Sequence, residues 1–182
     1  MNYCSNCGSQ NLIQQVPSSD IHTRVICQDC QVVHYSNPKI VTGCLVFHEG
    51  KVLLCKRAIA PQKGFWNFPA GFMENKETLQ EGAKREVREE VNATVIIKKL
   101  HTVYNIMHVD QVYFLFLAEL VDGKYSVGEE TADVKLFDLE DIPWEQLAFQ
   151  SNIFALRQYI ANPNYEGVHH GDNHAYLREL KA

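Results

Sequence analysis

The sequence has no long hydrophobic run and no excess of basic residues. Its longest uninterrupted apolar run, 112–118, is only seven residues long, whereas a membrane-spanning helix needs about 20. Its 17 lysine and arginine residues face 22 aspartate and glutamate residues, so the net charge is −5, and a nucleic-acid-binding protein is more often basic. The first ten residues lack the basic and apolar segments of a signal peptide. We therefore expect a cytoplasmic protein that binds neither membranes nor nucleic acid.

The composition is that of an ordinary globular protein. Hydrophobic residues make up 46% of the 182 residues and charged residues 21%, which excludes a wholly disordered or fibrous chain. The length favours one domain with room for a small additional module. Proline and the polar residues at 35–38 are typical of a linker. We predict a small module over residues 1–35, a larger domain over 36–161 and a tail over 162–182.

Four of the six cysteines form two C-x2-C pairs with nineteen residues between them: Cys4, Cys7, Cys27 and Cys30. Each pair presents two sulfur atoms to one metal ion, and two pairs complete the tetrahedron that Zn²⁺ prefers. Four protein ligands close the coordination sphere, so the predicted zinc site is structural. Two disulfides, or a redox-active pair, are the alternatives. Cys44 and Cys55 lie in apolar stretches and are predicted to be core residues.

Residue patterns predict a mixture of strands and helices. The strands are expected at 40–47, 52–55, 95–104, 111–119 and 134–137, and the helices at 77–91 and 144–161. A turn at 48–51 joins the first two strands as a hairpin. Residues from 162 onwards are predicted to be a polar, loosely ordered tail, and its histidines are assigned to that tail rather than to a metal site: His169, His170 and His174.

The helix predicted at 77–91 separates its residues into three arcs. The apolar arc should face the core: Leu79, Ala83, Val87 and Val91. The arc opposite should face solvent: Glu81, Lys84 and Arg88. The third arc carries Glu86, Glu89 and Glu90, whose like charges repel one another at helical spacing. A divalent cation such as Mg²⁺ or Mn²⁺ would remove that repulsion, although a solvated acidic face is the alternative that the helix alone allows.

The residues around this helix form a longer pattern, Gly71-x5-Glu77-x7-Arg85-Glu86-Val87-x-Glu89-Glu90. It resembles the Nudix box of the Nudix hydrolases. Two positions depart from the family's glycines, which are replaced by Ala70 and Asn92, and asparagine is the next best residue for a left-handed helix end. The four cysteines followed by HYSNPK and LLCKRAIAPQKGFWNFPAG resemble the branch that contains FAD and ADP-ribose pyrophosphatases. The resemblance implies an α+β fold, the Nudix α/β/α sandwich with a mixed sheet, preceded by a zinc ribbon.

The resemblance also implies a reaction and its catalytic residues. Nudix hydrolases use divalent metal and water to cleave a nucleoside diphosphate linked to another group. By family position, Glu86 and Glu90 are metal ligands with Glu89 close behind, while Glu77 and Arg85 form an ion pair that orients the loop and the helix. The general base lies within the box in some branches of the family and on a later loop in others. On the later loop of this chain Glu130 is favoured over Glu129, with a solvated acidic turn as the alternative.

Three residues are candidates for binding the substrate. Arg57 follows a predicted strand and is placed to contact a phosphate, while Phe65 and Trp66 are candidates for stacking on a base. A surface role for the arginine and core packing for the two aromatic residues are the alternatives.

The substrate implied by the resemblance is FAD or ADP-ribose, with release of AMP. NADH is less favoured because residues 95–117 contain no proline, unlike the proline-rich array of NADH pyrophosphatases. A dinucleoside polyphosphate, a non-catalytic nucleotide-sensing module and a zinc-ribbon adaptor that binds another protein remain alternatives. Because family members are commonly dimers, we expect a homodimer.

Overall fold

The computed structural model describes residues 1–174, which form two compact units that divide after Asn37. The end of the predicted tail, 175–182, lies outside the described residues. Within the described part, no helix is long and apolar enough to span a membrane.

The first unit is a small antiparallel sheet of three strands: β1 (Leu12–Gln15), β2 (Arg24–Cys27) and β3 (Val33–His34). Few of its side chains are buried, so its apolar core is small. The carboxylate of Asp29 accepts hydrogen bonds from Ser9 Oγ at 2.6 Å and Asn11 Nδ2 at 2.9 Å, which ties the two cysteine-bearing turns together. A segment of this size needs support beyond its apolar contacts.

The second unit contains a mixed sheet and two helices. The elements are, in chain order, β4 (Lys39–His48), β5 (Lys51–Arg57), β6 (Trp66–Asn67), β7 (Ala70–Phe72), α1 (Leu79–Val91), β8 (Val95–Ile106), β9 (Gln111–Leu120), β10 (Thr131–Phe137), α2 (Gln150–Ala161) and β11 (His169–Asp172). The main path of the sheet runs β10-β5-β4-β9-β8-β11, while β6 pairs with β5 and β7 with β4. The pairs β4–β9 and β8–β11 are parallel and the others are antiparallel.

The two helices cover opposite faces of this sheet. Successive side chains of a strand point to opposite faces, and in β4 the buried Cys44 and Val46 belong to the core under α1, whereas Leu45 belongs to the core that includes α2. Cys44 and Cys55 are buried as predicted. The layering is the α/β/α sandwich with a mixed sheet that the resemblance implied.

Two predictions near the C-terminus are wrong. The predicted helix over 144–161 begins only at Gln150, because a short 3₁₀ helix at Trp144–Gln146 is followed by extended backbone at Phe149. The predicted loose tail contains a strand, since His169–Asp172 pairs in parallel with β8. The His169 ring also packs against His101, with 5.2 Å between centroids. The HHGD sequence of this strand has no apolar alternation, so its pairing with the sheet edge was not visible in the sequence.

Candidate active site

Helix α1 is fixed at both ends by its own sequence. At its start, Thr78 Oγ1 accepts from the Glu81 amide and the Glu81 carboxylate accepts from the Thr78 amide, a reciprocal capping box. At its end, Asn92 adopts a left-handed conformation with φ 47° and ψ 36°, as expected for the residue that replaces the family glycine. The apolar arc packs into the core, with Ala83, Val87 and Val91 fully buried.

Arg85 connects the carboxylates of the loop and the helix. The predicted ion pair with Glu77 is present, at 2.8 Å between Arg85 Nη2 and Glu77 Oε1. Arg85 Nη1 also donates to Glu86 at 2.6 Å and to Glu89 at 2.9 Å, and Nη2 donates to the carbonyl of Phe72 at 3.0 Å. These further contacts partly neutralise two of the three clustered glutamates and were not predicted from the sequence.

Glu86 is buried against the backbone of Gly71. Glu86 is only 8% exposed. A Cβ atom on residue 71 would lie 2.5 Å from both oxygens of the Glu86 carboxylate. Glycine is therefore required at position 71 for the close approach of the carboxylate. Burial raises the pKa of Glu86, the Arg85 contact opposes that rise, and the charges of Glu89 and Glu130 add to it.

Glu90 lines the same cleft and is partly buried. Burial raises the pKa of Glu90 to about 7, and repulsion by Glu86 acts in the same direction while Arg57 opposes it. The Cys55 thiol lies 3.3 Å from Glu90 Oε2 and 3.4 Å from the Asn67 carbonyl oxygen. The carboxylates of Glu86 and Glu90 repel one another and supply oxygen atoms, the type of ligand that a hard divalent cation prefers.

The loop after β9 is attached to the end of α1. The amides of Ser126 and Gly128 donate to the carbonyls of Val91 and Glu90, each at 2.9 Å. Asn92 Nδ2 donates to the Val127 carbonyl at 2.9 Å. A Cβ on residue 128 would lie 2.0 Å from the Glu89 carbonyl oxygen, so the attachment requires glycine at that position. The sequence carried no readable signal for this contact.

This attachment brings two exposed acidic residues, Glu129 and Glu130, to the cleft that Glu86 and Glu90 line. Of the two, Glu130 is the one whose charge contributes to the raised pKa of Glu86. The later loop and the helix therefore meet at one site.

The cleft has a volume of about 1590 Å³ and contains Arg57 together with the carboxylates. The guanidinium of Arg57 lies 5.3 Å from the centre of the Phe149 ring, and its Nε donates to the Pro61 carbonyl at 2.7 Å. Trp66 does not line the cleft: it is 5% exposed, with its ring edge-on to Phe137 at 5.0 Å. Of the two roles that the sequence left open for Trp66, stacking on a base and core packing, the structure favours core packing.

Phe65, the other aromatic candidate for stacking, is 38% exposed and is also absent from the described lining of the cleft. The structure thus brings Arg57 to the carboxylates and leaves both aromatic candidates outside.

The four cysteines of the first unit converge on one point. Their sulfur atoms all lie within 4.8 Å of one another, with 3.6 Å between Cys4 and Cys30 and between Cys7 and Cys27. These separations are too long for disulfides, and all six cysteines of the chain are free thiols. The cluster fits a tetrahedral Zn²⁺. His34, which the sequence analysis left without a role, has its Nε2 3.3 Å from the Cys4 sulfur.

Comparison with known proteins agrees with this geometry. The model of the NUDIX domain matches residues 37–156, and the model described as Nudix N-terminal, a zinc ribbon, matches residues 2–36. A Nudix hydrolase from Nitrosomonas europaea is 45% identical, with a TM-score of 0.89 over 94% of this chain and 98% of that one. The chain therefore belongs to the Nudix family. It is a Nudix-type hydrolase with an N-terminal zinc ribbon.

Two curated relatives carry more particular names. An ADP-ribose pyrophosphatase from Methanocaldococcus jannaschii is 30% identical over 63% of this chain and 69% of its own length. An NAD-capped RNA hydrolase, NudC, from Vibrio atlanticus is 28% identical over 79% of this chain, which spans about half (51%) of that relative's length.

Proposed function

We propose that this protein hydrolyses the diphosphate linkage of a nucleoside diphosphate joined to another group, with ADP-ribose or FAD as substrate and AMP as one product. The observation that carries the proposal is a pair of carboxylates that repel one another, the buried Glu86 and the partly buried Glu90, in a cleft that also contains Arg57. An acidic cleft by itself would repel a diphosphate, so the site requires cations to bind its substrate.

Glu86, Glu90 and the more exposed Glu89 are the residues that would hold Mg²⁺ or Mn²⁺. When bound, the metal supplies a positive charge that neutralises the diphosphate and lowers the pKa of water. Arg85 keeps the Glu86 carboxylate in place through its 2.6 Å contact, and Glu77 in turn holds Arg85. These two residues therefore orient the ligands.

Glu130 is our choice for the general base. Its carboxylate would accept a proton from the water that attacks phosphorus, and the phosphorus–oxygen bond to the leaving phosphate would break. Support comes from the attachment of its loop to α1 and from the effect of its charge on Glu86. Arg57 would donate hydrogen bonds to a phosphate oxygen, since a guanidinium matches phosphate geometry.

The choice of ADP-ribose is supported by the Methanocaldococcus relative, which is named for that activity. The NudC relative favours a second candidate, a dinucleotide of the NAD type, because the similarity extends over 79% of this chain. A protein that binds these nucleotides without cleaving them is the remaining alternative.

We further propose a cytoplasmic homodimer without nucleic-acid binding. Light scattering coupled to size exclusion tests the dimer.

Product analysis distinguishes these candidates. Full-length, zinc-loaded protein would be incubated with ADP-ribose, FAD, NADH or a dinucleoside tetraphosphate, each with Mg²⁺ or Mn²⁺. We expect metal-dependent release of AMP from ADP-ribose or FAD. Preferential cleavage of NADH would support the second candidate. Absence of hydrolysis, together with thermal stabilisation by these nucleotides, would support the binding module and overturn the enzymatic proposal.

A further inference from the structure

Arg85 holds three carboxylates of the site but not Glu90. Its guanidinium donates hydrogen bonds to Glu77, Glu86 and Glu89. In the part of the chain that the structure describes, no hydrogen bond or ion pair joins Arg85 to Glu90. Groups that orient metal ligands contribute strongly to metal affinity, so the orientation of Glu90 has to depend on another group.

The side chain of Cys55 is in hydrogen-bond contact with the Glu90 carboxylate. Its sulfur lies 3.3 Å from Glu90 Oε2, and an ionised carboxylate only accepts hydrogen bonds, so the thiol is the donor. The Ala70 amide also donates to Glu90. Two donors, one on β5 and one on β7, therefore orient this carboxylate.

The sheet fixes the position of Cys55. At this residue β5 pairs with Asn67 of β6 on one side and with Val134 of β10 on the other. Cys55 is only 2% exposed and belongs to the apolar core under α1, and it is not among the described residues that line the cleft. It therefore reaches Glu90 from the core and acts on the cleft only through that carboxylate.

The contacts of Cys55 and Arg85 differ in charge. The guanidinium of Arg85 partly neutralises the carboxylates that it holds, whereas a thiol in apolar surroundings keeps its proton and is neutral. A neutral donor orients the carboxylate and leaves its negative charge available to a cation. The thiol is therefore suited to holding a metal ligand in place.

We propose that Cys55 is a positioning residue, which holds the Glu90 carboxylate in the orientation that a divalent cation requires. This assignment rests on the proposed function, since it concerns a metal ligand of the same site. Cys55 itself touches neither the metal nor the substrate.

Two variants of Cys55 separate the hydrogen bond from the packing. Alanine and serine are similar in size, but only serine retains a donor. Full-length, zinc-loaded protein would be titrated with Mn²⁺, and free Mn²⁺ followed by electron paramagnetic resonance. We expect Cys55→Ala to bind Mn²⁺ about tenfold more weakly than wild type, as is typical when the partner of a metal ligand is removed. Cys55→Ser should stay within about threefold of wild type.

The matched control is Cys44→Ala. Cys44 is fully buried in the same apolar core, where its sulfur contacts the Ala83 carbonyl oxygen at 3.9 Å. Cys44→Ala and Cys55→Ala remove the same atom from the same core, so their melting temperatures should fall by similar amounts. The Mn²⁺ affinity and the kcat for ADP-ribose of Cys44→Ala should match wild type, while kcat of Cys55→Ala should fall about tenfold.

The results that would overturn the proposal are distinct. Equal losses of Mn²⁺ affinity in Cys55→Ala and Cys55→Ser, or a similar loss in Cys44→Ala, would assign the effect to packing. Unchanged affinity and kcat in Cys55→Ala would show that the contact has no positioning role. If Cys55→Ala does not fold, Cys55→Val takes its place, because valine fills the space without supplying a donor, and the same losses are expected.

This proposal and the proposed function fail in different ways. Mn²⁺ binding that depends on Cys55, in a protein that cleaves none of the nucleotides, would support the positioning role and contradict the enzymatic proposal. Hydrolysis that is lost in Glu90→Gln but unchanged in Cys55→Ala would overturn the positioning role alone. Absence of Mn²⁺ binding by wild type would overturn both.

Discussion

At the scale of single residues, the site depends on two glycines, at positions where a side chain would collide with neighbouring atoms. Gly71 gives the Glu86 carboxylate its position, and Gly128 allows the later loop to contact the end of α1. The Nudix-box resemblance identified Gly71, because it stands at a fixed distance from Glu77 and Arg85. The stretch Gly128-Glu129-Glu130-Thr131 is also similar to the family, but the contact that requires Gly128 was not predicted, because it joins residues that are distant in the chain.

Gly71→Ala should therefore reduce activity more than stability. The added Cβ would lie 2.5 Å from both oxygens of Glu86, so the carboxylate must move, and a displacement of about 1 Å in a catalytic group can cost about 100-fold in rate. We expect kcat/KM for the nucleotide substrate to fall by about that factor. A parallel thermal melt is the control. Full activity in Gly71→Ala would contradict the assigned position of Glu86.

At the scale of elements, the end of α1 serves both the helix and the loop that carries Glu130. Asn92 stabilises the left-handed end of the helix through its backbone and holds Val127 through its side chain. These two contributions can be separated by substitution. Glycine at position 92 still favours the left-handed backbone but lacks the side-chain hydrogen bond to Val127, whereas alanine provides neither.

The free energy of unfolding of Asn92→Ala should be about 1 kcal/mol lower than that of Asn92→Gly. Alanine has a Cβ atom, which makes the left-handed backbone conformation unfavourable, whereas glycine adopts it readily. Urea denaturation of the two variants measures that difference. Both variants lose the hydrogen bond to Val127, so both should lose activity to a similar extent if the loop supplies the base. Equal stabilities for the two variants would argue against the backbone explanation.

The contact between α2 and the sheet should make stability depend on pH. Burial lowers the pKa of His101 below its ordinary 6.5, and its Nε2 lies 2.9 Å from the Ala155 carbonyl oxygen in α2. The unfolded chain therefore binds this proton more tightly than the folded one. The contribution of neutral His101 to the free energy of unfolding is therefore complete above about pH 6.5. It is lost as the pH falls from there towards the lower pKa that His101 has in the folded state.

Denaturation of wild type and His101→Gln between pH 7 and pH 5 measures this dependence. The variant retains an N–H donor but does not titrate, so its free energy of unfolding should fall less steeply with decreasing pH. His22→Gln changes an exposed histidine of the first unit and serves as the control. An identical pH dependence in wild type and His101→Gln would contradict the assignment.

The sequence predicted most of the elements because their patterns are local. The apolar arc of α1, the capping by Asn92 and the strands at 40–47 and 52–55 depend on neighbouring residues, and the structure contains them. The strand at His169–Asp172 and the burial of the Ser151 hydroxyl depend on residues far along the chain. Such positions are decided by tertiary contacts, which a single sequence does not display.

At the scale of the whole molecule, different interactions stabilise the two compact units. The second unit has two apolar cores, whereas the first has little apolar burial and four convergent cysteines. Metal binding to such a segment supplies its folding free energy.

Removal of Zn²⁺ should therefore unfold residues 1–37 and leave the second unit folded. Hydrogen exchange detected by mass spectrometry, with and without a chelator, tests this expectation. Peptides from the first unit should lose protection, while peptides from α1 and β9 should keep it. Continued protection of residues 1–37 after verified zinc loss, or loss of protection in α1, would contradict the separate roles of the two units.

The central claim is that Glu90 and its neighbours make hydrolysis depend on a divalent cation. The most direct test is AMP release from ADP-ribose as a function of Mg²⁺ concentration, in wild type, in Glu90→Gln and in Glu140→Gln as an exposed carboxylate control. Glu90→Gln should stay folded and lose at least about 100-fold in kcat, while Glu140→Gln should match wild type. Unchanged, Mg²⁺-dependent turnover in Glu90→Gln would contradict the account.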